Sequence, residues 1–245
     1  MTTTAAHPVN TQLISTIHDA LRRDLGRTFN ILSTRTPLGA RHRAALADHL
    51  IWTLNFLERH HTTEEEHLWP LARRRAPTTP LLHQLSIGHA RIDHVTGTVT
   101  TASRAYRHSD TPQVRDDLRG ALERLCTILL PHLDREETEL SPILAATITR
   151  DEWNTWLHHL LHTTHPAELA RETYWLTDTL EPERRTVTTL LLHTHHRSLT
   201  HHAIALTCRH HTWQLWRTRT TTETRQQSSR IHAALNTLDT AVSAI

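Results

Sequence analysis

Apolar residues recur every three or four positions over the first 147 residues and predict four long helices. The first stripe is Ile14, His18, Leu21, Leu25, Thr28 and Leu32, one face of a helix that begins near Thr11. Residues 34–39, with Pro37, break it. The second stripe is Leu46, Leu50, Thr53, Leu57, His60, Glu64, Leu68 and Leu71. Pro70 is expected to kink or loosen its last turn, and Arg73 to Arg75, Pro77 and Pro80 to end it. A third helix over about 81–107 carries Leu82, Leu85, His89, Ile92, Thr96 and Val99, with Gly88 and Gly97 weakening it. After a turn at 109–112 the fourth stripe is Leu118, Leu122, Leu125, Leu129, His132, Glu136, Leu140 and Ile143. Residues 1–10 read as a loose arm.

The second and fourth stripes are the same pattern, 72 residues apart. Leu matches Leu, His matches His and Glu matches Glu; Thr53 with Leu125 and Leu71 with Ile143 are mild exchanges. His18 and His89 are 71 residues apart and extend the match to the first and third helices. Residues 11–147 therefore read as two helical hairpins, an internal repeat, closing into an antiparallel four-helix bundle. The fold class is all-α.

The repeat carries polar residues on its inward faces. His60 to Pro70 and His132 to Pro142 both contain H-x-x-x-E-E-x-x-L-x-P. Four residues is about one helical turn, so each His and its Glu share a face. One such pair means little: 24 × 25 / 245, or roughly 2.4, His–acid pairs arise at that spacing by chance. Two in register, each flanked by inward Leu, are different. Four His and two Glu buried in a bundle core are costly unless something satisfies them. Imidazole and carboxylate without thiolate suit iron or manganese better than structural zinc. Six side chains suit two octahedral ions bridged by carboxylates, and bundle cores host such sites. His61 and Glu65 form a parallel pair one residue out of register. Alignment with His132 and Glu136 selects His60 and Glu64, leaving His61 as an extra or outer ligand.

Composition narrows the remaining choices. A net charge of +2 is too weak and too dispersed to argue for nucleic acid. The apolar runs are too short for a membrane span, and residues 1–11 lack the apolar segment of a signal peptide. Cys126 and Cys208 lie far apart, which fits a reducing, cytoplasmic compartment. Residues 149–245 change character and hold five of the seven Trp and dense His clusters. They read as a helical C-terminal region, packed on the bundle or forming a small second module. A helix is expected over 204–216, a polar stretch over 218–230 and a short helix over 231–245. The spacings His158/His162, His162/His165 and His193/His196 lack interleaved acids, so a solvated or substrate-lining face is expected there.

On these motifs the chain resembles the hemerythrin-like, or HHE, cation-binding family. The matching residues are His18 in IHDALRRDL, His60 and Glu64 in HHTTEEEHLWP, His89 in GHARIDH, and His132 and Glu136 in HLDREETELSP. The resemblance implies two iron ions held by these six residues, with Glu64 and Glu136 bridging. It departs from marine-type hemerythrins at Asp93, where those proteins carry a further His. The implied function is binding of dioxygen, nitric oxide or peroxide in sensing, storage or detoxification. A di-iron oxidoreductase with an unassigned redox partner, and an iron-sensing or iron-storage protein, are the alternatives.

Overall fold

The computed structural model describes residues 9–34, 36–76, 79–161, 166–193 and 215–216. The described residues form helices and no strands. Helices α1 (Gln12–Ser33), α2 (Ala40–Thr63), α4 (Thr79–His108) and α5 (Pro112–Arg135) make the bundle. Around the ring, α1 touches α2, α2 touches α4, α4 touches α5 and α5 returns to α1. The sequence periodicity explains this closure, since each stripe gives its helix one apolar face to hide. Ile14, Leu21, Leu25, Leu50, Leu57, Leu85, Ile92, Leu122 and Leu129 all lie in the common core. A fully buried Leu or Ile contributes about 1.5–3 kcal/mol.

Where the sequence predicted a kink at Pro70, the chain instead makes a π-turn. One spans Glu64–Leu68 and leads into α3 (Trp69–Arg75); its counterpart spans Glu136–Leu140 and leads into α6 (Ser141–Thr147). The amide of Trp69 donates to the Glu64 carbonyl, and that of Ser141 to the Glu136 carbonyl, five residues back in each case. Pro70 and Pro142 follow at once and have no N–H to close an ordinary α-turn. The inserted residue rotates the helix beyond it. Ala72 and Leu144 are buried, while Leu71 and Ile143, the positions expected to point inward, are only half-buried.

Beyond the bundle, α7 (Arg150–Leu161) packs on α2 and the first π-turn, α8 (Pro166–Thr177) packs on α1, and α9 (Pro182–His193) packs on α8. Trp153, Trp156, Leu157, Leu169 and Trp175 share the bundle's hydrophobic core. Polar fasteners cross the same seam. Asp24 is buried on α1, and its Oδ2 accepts from His49 Nε2 (2.7 Å) and Trp175 Nε1 (2.9 Å). Its Oδ1 accepts from Arg23 Nε at 2.8 Å. Arg59 on α2 donates to the carbonyl of Leu160 at 3.0 Å and pairs with buried Glu172 on α8. Of the expected loose arm over 1–10, Val9 is instead buried in the core, its amide donating to the Ala145 carbonyl at 3.1 Å; residues 1–8, Cys208, the His clusters at 195–196, 201–202 and 210–211, His162 and His165, and the predicted 218–230 and 231–245 segments lie outside the described residues. Only residues 215–216 of the predicted 204–216 helix are described.

Candidate metal centre

Six inward positions of the four stripes meet at one level of the bundle. His18 comes from α1, His60 from α2, Glu64 from the first π-turn, His89 from α4, His132 from α5 and Glu136 from the second π-turn. All six are buried, His132 being the most accessible at 7%. Their donor atoms converge. His18 Nε2 lies 3.3 Å from His60 Nε2 and 3.4 Å from Glu136 Oε2. Glu136 Oε1 lies 3.3 Å from His89 Nε2 and 3.1 Å from His132 Nε2. Glu64 spans the two halves, with Oε1 3.6 Å from His60 Nε2 and Oε2 3.9 Å from His89 Nε2. Three mutually close donor groups result: His18, His60 and Glu136; Glu64, His89 and Glu136; and His61, His89 and His132. The two carboxylates of the register chosen by the repeat, Glu64 and Glu136, sit between the imidazoles.

The EE doublet has a second purpose that the sequence reading missed. Glu65 and Glu137 turn outward and bind the back of the His contributed by another helix. His89 Nδ1 donates to Glu65 Oε1 at 2.8 Å, and His18 Nδ1 donates to Glu137 Oε1 at 2.8 Å. Each bond fixes the tautomer, so Nε2 keeps a lone pair aimed at the cluster. Ser86 Oγ holds Glu65 (3.1 Å), and Arg22 Nη1 holds Glu137 (2.8 Å). The available signal was the repeat of the second Glu itself at the 72-residue spacing.

The protein alone does not satisfy this cluster. His60 Nδ1, both nitrogens of His61, both oxygens of Glu64, His132 Nε2 and Glu136 Oε2 are buried without a hydrogen-bond partner. An orphaned buried polar atom costs about 1–3 kcal/mol; a cation would meet both oxygens of Glu64, His132 Nε2, Glu136 Oε2 and one nitrogen of His61, but not His60 Nδ1, because that ring turns its Nε2 to the cluster. The electrostatics agree. Burial, reinforced by the Glu136 charge, pushes the Glu64 carboxyl well above its usual value. Burial would do the same to Glu136, but the imidazoles of His132 and His89 hold it well below. Burial and neighbouring rings push His60 and His61 well below the usual imidazole value, to the neutral form that ligates metal. The donor set therefore fits hard-to-intermediate cations such as iron.

The walls are apolar. Leu25, Leu57, Leu68, Leu129 and Leu140 are at most 1% exposed. Trp69 stacks on His89 (ring centroids 4.6 Å apart) and Trp156 of α7 packs beside His60 (6.3 Å). Gly88 permits a close approach: a Cβ there would meet His132 Nδ1 at 2.6 Å. Asp93 is exposed and joins none of the donor groups, and His83, His94 and His108 are exposed as well. His158 and His159 are exposed on α7.

A helical bundle with a buried His/carboxylate cluster defines a metal-binding four-helix protein. The hemerythrin HHE cation-binding domain matches residues 9–144, more than half of the chain, and the chain belongs to that family. Members bind metal cations, usually iron. No curated protein and no solved structure matches the chain. No described helix is long and apolar enough to cross a membrane.

Proposed function

We propose that the chain is a di-iron protein that binds dioxygen or a related small ligand, nitric oxide or peroxide, in sensing, storage or detoxification. His18, His60, Glu64, His89, His132 and Glu136 would hold the two ions, with Glu64 and Glu136 between them. The observation that carries the reading is the group of buried oxygens and nitrogens that face one another without a partner, both oxygens of Glu64, Glu136 Oε2 and His132 Nε2, which cations would satisfy and hydrogen bonding within the chain does not. Ferrous ions held there would supply the electrons and the Lewis-acid sites that such ligands need. The chain's own residues do the rest. Glu65 and Glu137 orient His89 and His18. The Leu wall keeps bulk water and protons away, which favours reversible binding over turnover. α7 and α8 close the side of the bundle next to His60.

The test is an optical spectrum of the ferrous protein taken without oxygen, in air, and after oxygen is removed again. An absorption change that appears and reverses supports the proposal. Sustained consumption of peroxide or an organic substrate would favour an oxidoreductase instead. Far-separated cysteines fit a reducing cytoplasm, the compartment in which we place this activity.

A further inference from the structure

The internal repeat relates two outer faces of the bundle as well as its core. Adding 71 to positions on α1 and 72 to positions on α2 carries the α1/α2 face onto the α4/α5 face, as it carries His18 onto His89 and His60 onto His132. The first face is covered by the chain's own C-terminal region. Arg27 lies over the ring of Trp216 (5.2 Å), His49 meets that ring edge-on (5.4 Å), and His42 Nε2 donates to the Leu215 carbonyl at 2.7 Å. Leu215 is 1% exposed there. The positions equivalent to Arg27, His49 and His42 are Thr98, Ala121 and Val114. All three line an open groove of about 720 Å³ between α4 and α5. The second face thus presents as a groove the surface that the first face presents to residues 215–216.

One stretch of this chain matches the groove in shape and charge. Residues 231–245 carry Ile231, Leu235, Leu238, Val242 and Ile245 at steps of four and three, a helical stripe that needs an apolar surface to cover it. His232 and Asp239 lie together on one flank of that stripe, seven residues and roughly 10 Å apart along a helix. The α5 rim of the groove carries Asp117 and Arg124, both exposed and also seven residues apart. A helix laid parallel to α5 sets His232 beside Asp117 and Asp239 beside Arg124. Its other flank, Ala234, Thr237 and Ala241, is then small enough to lie against Gly97 and Thr101 of α4. Residues 217–230 supply the connection. Fourteen residues reach at most about 46–50 Å, against roughly 30 Å around a bundle whose neighbouring axes are about 8–10 Å apart.

We propose that residues 231–245 dock as a helix in the α4/α5 groove of their own chain, so that the C-terminal region covers both of the faces that the repeat relates. This surface is separate from the buried His and Glu cluster, and the proposal does not depend on which metal, if any, is held there.

The test is hydrogen exchange read by mass spectrometry on the full chain, with light scattering to give the oligomeric state. In the monomeric parent the amides of 231–245 should exchange at least about 10-fold more slowly than those of the polar 218–230 stretch. Leu238→Asp on the segment should remove that protection. So should Thr101→Trp, which fills the groove from an exposed position and leaves the bundle's helix content unchanged. Asp239→Arg sets like charge beside Arg124 and should speed the exchange, and adding Arg124→Asp should slow it again. Exchange at 231–245 as fast as at 218–230 in the parent, or protection that survives Thr101→Trp, would overturn the proposal. Protection found only in a dimer and lost on dilution would assign the groove to a second copy and overturn it as well.

Discussion

Gly88→Ala separates two opposite expectations. On helix propensity alone, Ala in the middle of α4 should stabilise the protein by up to about 1 kcal/mol. The structure predicts the reverse. The new Cβ would lie 2.6 Å from His132 Nδ1 and 3.1 Å from Cε1, whereas ordinary contact begins at 3.4 Å, so the ring must retreat by 3.4 − 2.6 = 0.8 Å. It has little room to do so. His132 is flanked by the rings of His61 and His89 (5.5 and 4.7 Å), and its Nε2 is 3.1 Å from Glu136. Overpacking a closed site costs about 1–3 kcal/mol, which cancels or exceeds the propensity gain. Metal binding should suffer more, since even indirect disturbance of a ligand typically costs 10–100-fold in affinity. Gly26→Ala and Gly97→Ala are the controls, because their added Cβ atoms meet nothing within 4 Å. Thermal melts of the metal-free proteins and anaerobic ferrous titrations of all three variants give the comparison. The reasoning fails if Gly88→Ala melts as high as Gly97→Ala and binds iron like the parent.

Glu65→Gln and Glu137→Gln each keep the size of the group behind His89 or His18 but remove its charge; each should weaken ferrous binding by about 10–100-fold with little change in helix content. Asp24→Ala leaves Arg23, His49 and Trp175 without their shared acceptor. It should cost about 3–5 kcal/mol in chemical denaturation, as expected for breaking a buried ion pair. Limited proteolysis should then cut α8 faster. Burial lifts the Glu172 carboxyl to about 7, above its ordinary 4.5 despite the nearby Arg59. The folded state therefore holds that proton where the unfolded chain has lost it. Stability should fall as pH rises from about 4.5 to 7, and Glu172→Gln should flatten that part of the profile.

The bundle was legible because its code is local and periodic. Leu25, Leu57 and Leu129 sit at helical spacing, and the same spacing carried His18, His60, His89 and His132 onto the buried faces. The 72-residue echo also chose Glu64 over Glu65 as the inward carboxylate. Other features were not legible, for reasons that are equally physical. A π-turn adds one residue without changing composition, so Leu71 and Ile143 looked inward where Ala72 and Leu144 are. Glu65 and Glu137 act across helices, and a pattern read along one helix cannot show which partner's Nδ1 they meet. The packing of α7 and α8 depends on pairs such as Arg59 with Glu172 and Asp24 with Trp175, more than 110 residues apart. Gly88 looked like a weak point in a helix because only the folded bundle brings His132 against it.

On the function proposed above, the buried His and Glu cluster would hold two iron ions. Ferrous titration of the metal-free chain under anaerobic conditions, followed by elemental analysis after removal of loose metal, tests it most directly. About two iron ions per chain are expected in the parent, with a loss of one or both in His60→Ala and His132→Ala. Two tightly held ions in the double variant, or none in the parent, would contradict it.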